Sequence, residues 1–207
     1  MIFTTIYTGT NFAFQVSNPV VVGSTSLEAV TLRAVGKNGA VPNTFDSDQG
    51  GTGITTTTNA LHQIWEFGAV QTPTLTLNVP GSINQALDSH FLVNLSNLVI
   101  VHNPSEDRVA NPTYDPWGGF GTYLRGTFSI LGTSSTSWDF AYLVVPSNTT
   151  VNFDFHIGGF IPAVPNNQSV SSDYVSGSFT VVPEPSTLVL LGSGILGLLV
   201  YRRRRGG

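Results

Sequence analysis

The alternation of apolar and polar residues at positions 149–157 is the feature that most limits how this chain can fold. One side of an extended chain would carry only the apolar residues Val151, Phe153, Phe155 and Ile157. The other side would carry the polar residues Asn152, Asp154 and His156. A period of two with β-branched and aromatic residues is typical of a strand with one buried face. The sequence therefore predicts a half-buried strand here.

The same pattern recurs along most of residues 1–181, separated by turn signals. Further strands are predicted at 11–17, 20–22, 27–35, 61–67, 74–79, 91–101, 122–131, 138–145 and 174–181. Residues 82–89 are expected to hold one helical turn. Residues 37–58 and 103–121 are predicted to be long loops because turn-forming residues are frequent there. About ten short strands with almost no helical period favour one antiparallel β-sandwich, jelly-roll-like, over residues 1–181.

Charge and cysteine content exclude several classes of function. Only 10% of the 207 residues are charged, against about 25% in typical soluble proteins. Residues 1–181 hold four basic and eleven acidic side chains, which gives a net charge of −7. An acidic body with scattered basic residues argues against nucleic-acid binding, which requires a basic patch. The absence of cysteine excludes disulfides, cysteine zinc sites and cysteine nucleophiles. No cofactor is predicted.

The C-terminal residues 182–207 combine three parts in a fixed order. Pro183, Glu184 and Pro185 form a stiff, extended tripeptide, because proline fixes φ and restricts the residue before it. Residues 188–201 are apolar or small and uncharged. As a helix they would span about 21 Å, which is short for a bilayer core of about 30 Å. We expect a single transmembrane helix, with the flanking cations Arg202, Arg203, Arg204 and Arg205 on the cytoplasmic side.

This order resembles the PEP-CTERM sorting signal of exopolysaccharide-producing Gram-negative bacteria. Pro183, Glu184 and Pro185 match the family's tripeptide, residues 188–201 its hydrophobic span, and Arg202 to Arg205 its basic tail. The resemblance covers about the last eighth of the chain. It implies export, recognition by an exosortase in the membrane, removal of the tail, and a final place at the cell surface or in the extracellular matrix.

Residues 1–10 lack the N-terminal signal peptide with which such proteins normally begin. They contain neither a basic n-region nor a sustained apolar h-region. We expect a translation start upstream of Met1. A fragment, or a protein that is not exported, are the alternatives.

Three groups of residues carry side chains of the types used in catalysis or metal binding. Asp88, Ser89 and His90 are adjacent, but a hydrolase triad must converge in space, so a capped turn at a strand entry is favoured. Glu106 and Asp107, with Asp115, could form a glycosidase pair, although their spacing does not show one. The histidines at 62, 90, 102 and 156 lack metal-ligand spacing.

A calcium loop is a further alternative around residues 46–51. Asp46 and Asp48 stand two residues apart and Gly51 follows at the sixth place. The bidentate glutamate of such loops is missing, because Thr57 stands at the twelfth place. A turn rich in Asp and Gly is the favoured interpretation, and Asp46 and Asp48 are the calcium candidates if it is wrong.

Four aromatic residues fall within ten positions at 114–123. They are Tyr114, Trp117, Phe120 and Tyr123. Exposed aromatic rings can stack on the apolar faces of sugars, with polar neighbours such as Asp115 and Arg125 fixing the orientation. The opposite interpretation is that Trp117 folds back and closes the end of the core.

The sequence as a whole favours a non-enzymatic, exported surface or extracellular protein that an exosortase sorts and that associates with exopolysaccharide or the cell envelope. A carbohydrate-binding module that uses the aromatic loop is the second hypothesis. A glycan-active enzyme is the third.

Overall fold

The computed structural model describes residues 1–64, 67–71, 84–107, 109–110, 118–162 and 169–183. These residues form sixteen strands and two short 3₁₀ turns, Gln85–Leu87 and Leu95–Asn97. The strands are β1 (Phe3–Thr8), β2 (Phe12–Ser17), β3 (Val20–Val21), β4 (Leu27–Gly36), β5 (Val41–Asp46), β6 (Gly53–Thr56), β7 (Leu61–Ile64), β8 (Val70–Gln71), β9 (His90–Leu92), β10 (Leu98–Glu106), β11 (Val109–Ala110), β12 (Gly118–Gly121), β13 (Tyr123–Ile130), β14 (Ser137–Pro146), β15 (Thr150–Ile161) and β16 (Ser169–Thr180). The prediction of an all-β protein is confirmed.

The strands form three sheets, and nearly all of their pairing is antiparallel. The seven-stranded sheet has the order β1-β2-β4-β14-β9-β8, with β3 paired to β4. The six-stranded sheet has the order β10-β13-β5-β15-β16, with β6 paired to β13 and β15. A three-stranded sheet, β11-β12-β7, completes the set. Among the strands described, β8 and β9 form the parallel pair.

The two large sheets share one hydrophobic core that is rich in phenylalanine. Phe14 on β2 meets Phe153 on β15 with ring centroids 4.8 Å apart. Phe45 on β5 meets Phe91 on β9 at 4.8 Å and Phe140 on β14 at 5.7 Å. These contacts join strands of opposite sheets, so their inner faces pack against each other. The predicted inward set of β15, Val151, Phe153, Phe155 and Ile157, is at most 2% exposed, as expected.

A second, smaller core covers the outer face of the seven-stranded sheet. Its buried members are Val22, Leu27, Ala29, Ile64, Leu87, Leu92, Tyr142 and Val144. They come from β4, β9, β14 and the residue after β3 in the seven-stranded sheet, and from β7 and the first 3₁₀ turn. The outer face of the six-stranded sheet differs, because its side chains are half-exposed or exposed along β13 and β16.

Two predicted segments need correction. The loop predicted at 37–58 contains β5 and β6, which pair with β13 and β15. Cross-strand partners thus outweigh the local turn signals of this stretch. The strand predicted at 91–101 is two strands of different sheets, β9 and β10, separated by a 3₁₀ turn. The Asn94 side chain accepts a hydrogen bond from Ser96 N and begins that turn.

The predicted loop at 103–121 is also partly wrong. Strand β10 continues to Glu106, and β11 pairs with β12 through Val109 and Phe120. The helical turn expected within 82–89 is present as Gln85–Leu87. The strand predicted at 74–79 lies outside the described residues.

Candidate functional site

A row of polar side chains crosses the outer face of the six-stranded sheet. The ladder pairs His102 with Thr127, Thr127 with Asp46, Asp46 with His156, and His156 with Tyr174. Directly paired residues of antiparallel strands share one face. These five residues, here called the polar row, therefore lie side by side across β10, β13, β5, β15 and β16. At the usual strand spacing the row is about 19 Å long.

Hydrogen bonds and ring contacts link the members of the polar row. The Thr127 hydroxyl lies 2.8 Å from Asp46 Oδ1 and 2.6 Å from Asp48 Oδ2. His102 Nδ1 contacts the same Asp48 oxygen. The rings of His156 and Tyr174 are 5.0 Å apart. The row thus combines carboxylates, hydroxyls, imidazoles and one phenol on a single surface.

Tyr174 supplies the phenol of the row and is 47% exposed. Its hydroxyl donates a hydrogen bond to Asp154, which lies on the same face of β15. That hydrogen bond, together with partial desolvation and the nearby negative charge, raises the pKa of the Tyr174 hydroxyl above its usual value. Tyr174 is therefore neutral at physiological pH and presents an aromatic face beside a carboxylate. This combination suits a polar ligand with apolar patches, such as a sugar.

The calcium candidates Asp46 and Asp48 belong to this surface. Asp46 Oδ1 accepts a hydrogen bond from the Asp48 backbone N–H at 2.9 Å, which is a turn of the kind expected for Asp. In the part of the chain that the structure describes, no group of three or more His, Cys, Asp or Glu side chains could hold a metal ion. The turn interpretation fits these hydrogen bonds, and a calcium site here stays a prediction.

The aromatic loop of the sequence prediction is described only at its C-terminal end. Tyr114, Trp117 and Asp115 lie outside the described residues. Phe120 on β12 packs against the second core and meets the ring of His62 at 5.1 Å. Tyr123 on β13 lies under the guanidinium of Arg125, which is 4.5 Å from the ring centroid. The structure thus places Phe120 in a packing role and leaves Tyr123 half-exposed.

The carboxylate of Asp107 fixes the base of this loop. It accepts hydrogen bonds from Thr122 N at 2.6 Å, from the Thr122 hydroxyl at 2.5 Å, and from Tyr123 N at 2.8 Å. A side chain at Gly121 would collide with the Asp107 carbonyl oxygen, 1.6 Å from the position of its Cβ. Asp107 therefore has a structural use that a free catalytic carboxylate would not have.

Asp88, Ser89 and His90 are fully buried and bonded to the backbone. Asp88 Oδ1 accepts from Ile64 N at 2.7 Å. The Ser89 hydroxyl donates to Val144 O and accepts from Val144 N. His90 Nδ1 is 2.8 Å from Asp88 O. With His62, also buried, they form what we call the buried cluster, which ties β7, β9 and β14 together.

The described part of the chain ends just inside the predicted sorting signal. Val181 N–H donates to Thr149 O at 2.9 Å, and Val181 O accepts from Asn148 N at 2.7 Å. Val181 is 2% exposed, whereas the next residue, Val182, is 57% exposed. The hydrogen-bonded body therefore ends two residues before Pro183. Glu184, Pro185, the predicted helix at 188–201 and Arg202 to Arg205 lie outside the described residues. Within the described ranges no helix has the length and apolarity needed to cross a membrane.

The described residues before the C-terminal signal form mainly antiparallel β-sheets. Val181, the last of them that is buried, is followed directly by the signal. Residues 181–205 match the family model of the PEP-CTERM protein-sorting motif. The chain therefore carries this motif, which marks an exported protein targeted to an exosortase. Searches of curated proteins and of solved structures gave no match.

Sequence reasoning missed the polar row as a unit. The outward positions Asp154 and His156 were predicted from the alternation of β15. Their neighbours His102, Thr127 and Tyr174 come from strands distant in sequence, and only the register of the sheet brings them together.

Proposed function

We propose that this protein is a non-enzymatic component of the cell surface or extracellular matrix, sorted by an exosortase and associated with exopolysaccharide or the cell envelope. The match of residues 181–205 to the sorting motif is the observation that carries the proposal. In it, residues 188–201 form a single transmembrane helix, and Arg202 to Arg205 keep the C-terminus in the cytoplasm until processing. Residues 1–181 form the exported jelly-roll-like sandwich.

The intact mass of the protein from its native host tests the sorting step. We expect a mass short by the tail in the parent strain and the full-length mass in a strain without the exosortase. Replacing Pro183, Glu184 and Pro185 by alanine in the parent strain should also give the full-length mass. A full-length mass in every strain would make the tail a permanent anchor and contradict processing.

Carbohydrate binding is the second candidate function. Its support is the exposed chemistry beside the loop: the Tyr123 ring carries the Arg125 guanidinium, and Asp107 holds the base of the hairpin. Tyr114, Trp117 and Tyr123 of the predicted loop would supply the stacking rings, because Phe120 packs against the second core. The proposed function involves no nucleic acid and no cofactor.

Retention on polysaccharide affinity gels tests this candidate. Trp117→Ala and Tyr123→Ala should lose retention while keeping the parent melting temperature. Leu131→Ala, which truncates a side chain that is 55% exposed on another strand end, is the matched control and should be retained. Unfolding of Trp117→Ala would instead support its role in closing the core. Release of reducing ends from the same polysaccharides would favour the glycan-active enzyme.

A further inference from the structure

Exposed aliphatic side chains gather at the end of the body from which the sorting tail leaves. Ile2, Val20, Val21 and Val182 are 69%, 58%, 56% and 57% exposed. The Asn18 backbone N–H donates to Ile2 O at 2.9 Å, which joins the start of β1 to the connection between β2 and β3. We call these four residues the tail-end patch.

Two cavities lie beside the tail-end patch. One, of about 290 Å³, is lined by Val20, Val21 and Ser17 among others. The other, of about 250 Å³, is lined by Ser17, Val181 and Val182 among others. Ala29 lines the first cavity and Val30 the second, so the two cavities lie on opposite faces of β4, with Ser17 between them, near the exit of the tail.

Charged side chains are few at this end of the body. The Arg33 guanidinium, paired with Asp139, lies 3.7 Å from the ring centroid of Phe3, next to Ile2. The chain stretches 1–8, 17–29, 146–153 and 178–183 contain one charged residue, Glu28. Glu28 is 4% exposed, and its Oε1 accepts a hydrogen bond from the Ser147 hydroxyl at 3.2 Å. An apolar surface with few charges, and those paired, can enter the lipid headgroup boundary at a small desolvation cost.

The short connection to the tail limits how far this surface can be from a bilayer. Val181 is the last residue bonded to the body, and residues 182–187 separate it from the apolar run that begins at 188. Six extended residues reach at most about 21 Å. If the apolar run spans the membrane, Val181 lies within about 21 Å of the span, which keeps the tail-end patch close to the bilayer.

We propose that the tail-end patch rests on the lipid bilayer while the tail is inserted, and so holds the body in one orientation with Pro183 at the membrane surface. The inference rests on the membrane insertion in the proposed function. Contact between the patch and lipid adds apolar burial to the anchor. It also presents Pro183, Glu184 and Pro185 at the depth where a membrane-embedded peptidase works.

Single-cysteine labelling of the full-length chain tests the contact, because the protein has no cysteine of its own. Val20→Cys and Val21→Cys place an environment-sensitive fluorophore on the patch. Val101→Cys is the matched control, since Val101 is 69% exposed on β10, the strand at the other edge of the six-stranded sheet from β16. Gly194→Cys reports separately on insertion of the tail. Each variant is reconstituted in phosphatidylethanolamine–phosphatidylglycerol vesicles that contain a nitroxide lipid near the headgroup or deep in the bilayer.

The expected result is a loss of fluorescence with the headgroup quencher at positions 20 and 21, with the deep quencher at position 194, and with neither at position 101. Unquenched labels at 20 and 21 beside a quenched label at 194 would overturn the lipid contact and leave the anchor intact. An unquenched label at 194 would overturn the insertion, whatever the patch labels show. Labels at 20 and 21 that are shielded only when purified exosortase is added would assign the patch to the peptidase and overturn the lipid proposal.

Discussion

The buried cluster and the polar row use the same side-chain chemistry in opposite surroundings. The first sets His62, Asp88, Ser89 and His90 under the second core, each with 0% exposure. The second spreads His102, Thr127, Asp46, His156 and Tyr174 over an outer sheet face, where the His102 side chain is 67% exposed. The comparison shows that residue type does not identify a site, because the buried set bonds to the backbone, whereas most of the polar row, apart from the buried Asp46, is in contact with solvent.

The largest difference in stability between a buried and an exposed side chain is expected at alkaline pH. Tyr142, in the second core, is the buried example and Tyr174 the exposed one. Burial beside His90 raises the pKa of Tyr142 from 10.0 to about 12. The folded state therefore favours the neutral phenol. The resulting contribution to the unfolding free energy is fully present below pH 10 and is lost as pH rises from 10 to about 12. A shift of about two units corresponds to about 3 kcal/mol of unfolding free energy. Urea unfolding at pH 9 and at pH 12 measures it.

Tyr142→Phe provides the control for this pH dependence. It removes the titrating group and should flatten the loss between pH 10 and 12 relative to the parent protein. Tyr174→Phe should leave most of that loss in place, because the Tyr174 side chain is solvent-exposed. Equal flattening by the two variants would contradict the contrast between the buried and the exposed tyrosine.

The next largest effect should come from truncating Asp88 of the buried cluster and Asp48, which bonds to His102 and Thr127 of the polar row. Asp88→Ala leaves the buried Ile64 N–H without its acceptor and should lower the unfolding free energy by about 2 kcal/mol. Asp48→Ala removes an exposed contact with His102 and should cost less than about 1 kcal/mol. Denaturant unfolding at pH 7 separates them, and similar losses would mean that the polar row is structural.

His102→Gln should have the smallest effect on stability. The exposed contact between His102 and Asp48 is worth about 0–1 kcal/mol at most. If the polar row binds a glycan, retention on a polysaccharide gel should nevertheless fall for this variant. His62→Gln is the buried counterpart and should destabilise the fold, because its ring lies 2.5 Å from Leu87 O. A stable His62→Gln and an unfolded His102→Gln would reverse the comparison.

The inward face of a strand was predicted best where one face is buried and the other is solvent-exposed. The start and the inward face of β15 followed from the alternation at 149–157, because alternation reflects burial directly, whereas the strand continues four residues further, to Ile161. The strand prediction was least accurate for β5 and β10. The turn-like residues of β5 pair between two long strands, and the apolar residues Val99 and Val101 of β10 lie exposed at a sheet edge. Local composition cannot report which neighbour a strand will find.

The candidate sites divide in the same way. The turn around Asp46 could be inferred from its spacing and side-chain geometry. The hydrogen bonds from Thr122 and Tyr123 to Asp107 could not be inferred, because they join residues that are about fifteen positions apart in the chain.

The sequence by itself determined the all-β class and the sorting signal, since both are written in local order: a period of two in the body, and a tripeptide, an apolar run and arginines at the C-terminus. The tertiary structure decided which polar residues meet. The register of five strands aligned the polar row, and the packing of a second core removed Asp88, Ser89 and His90 from solvent. It also brought Val20, Val21 and Val182 to one end of the body. Such groupings depend on contacts between residues far apart in the chain, which no local pattern specifies.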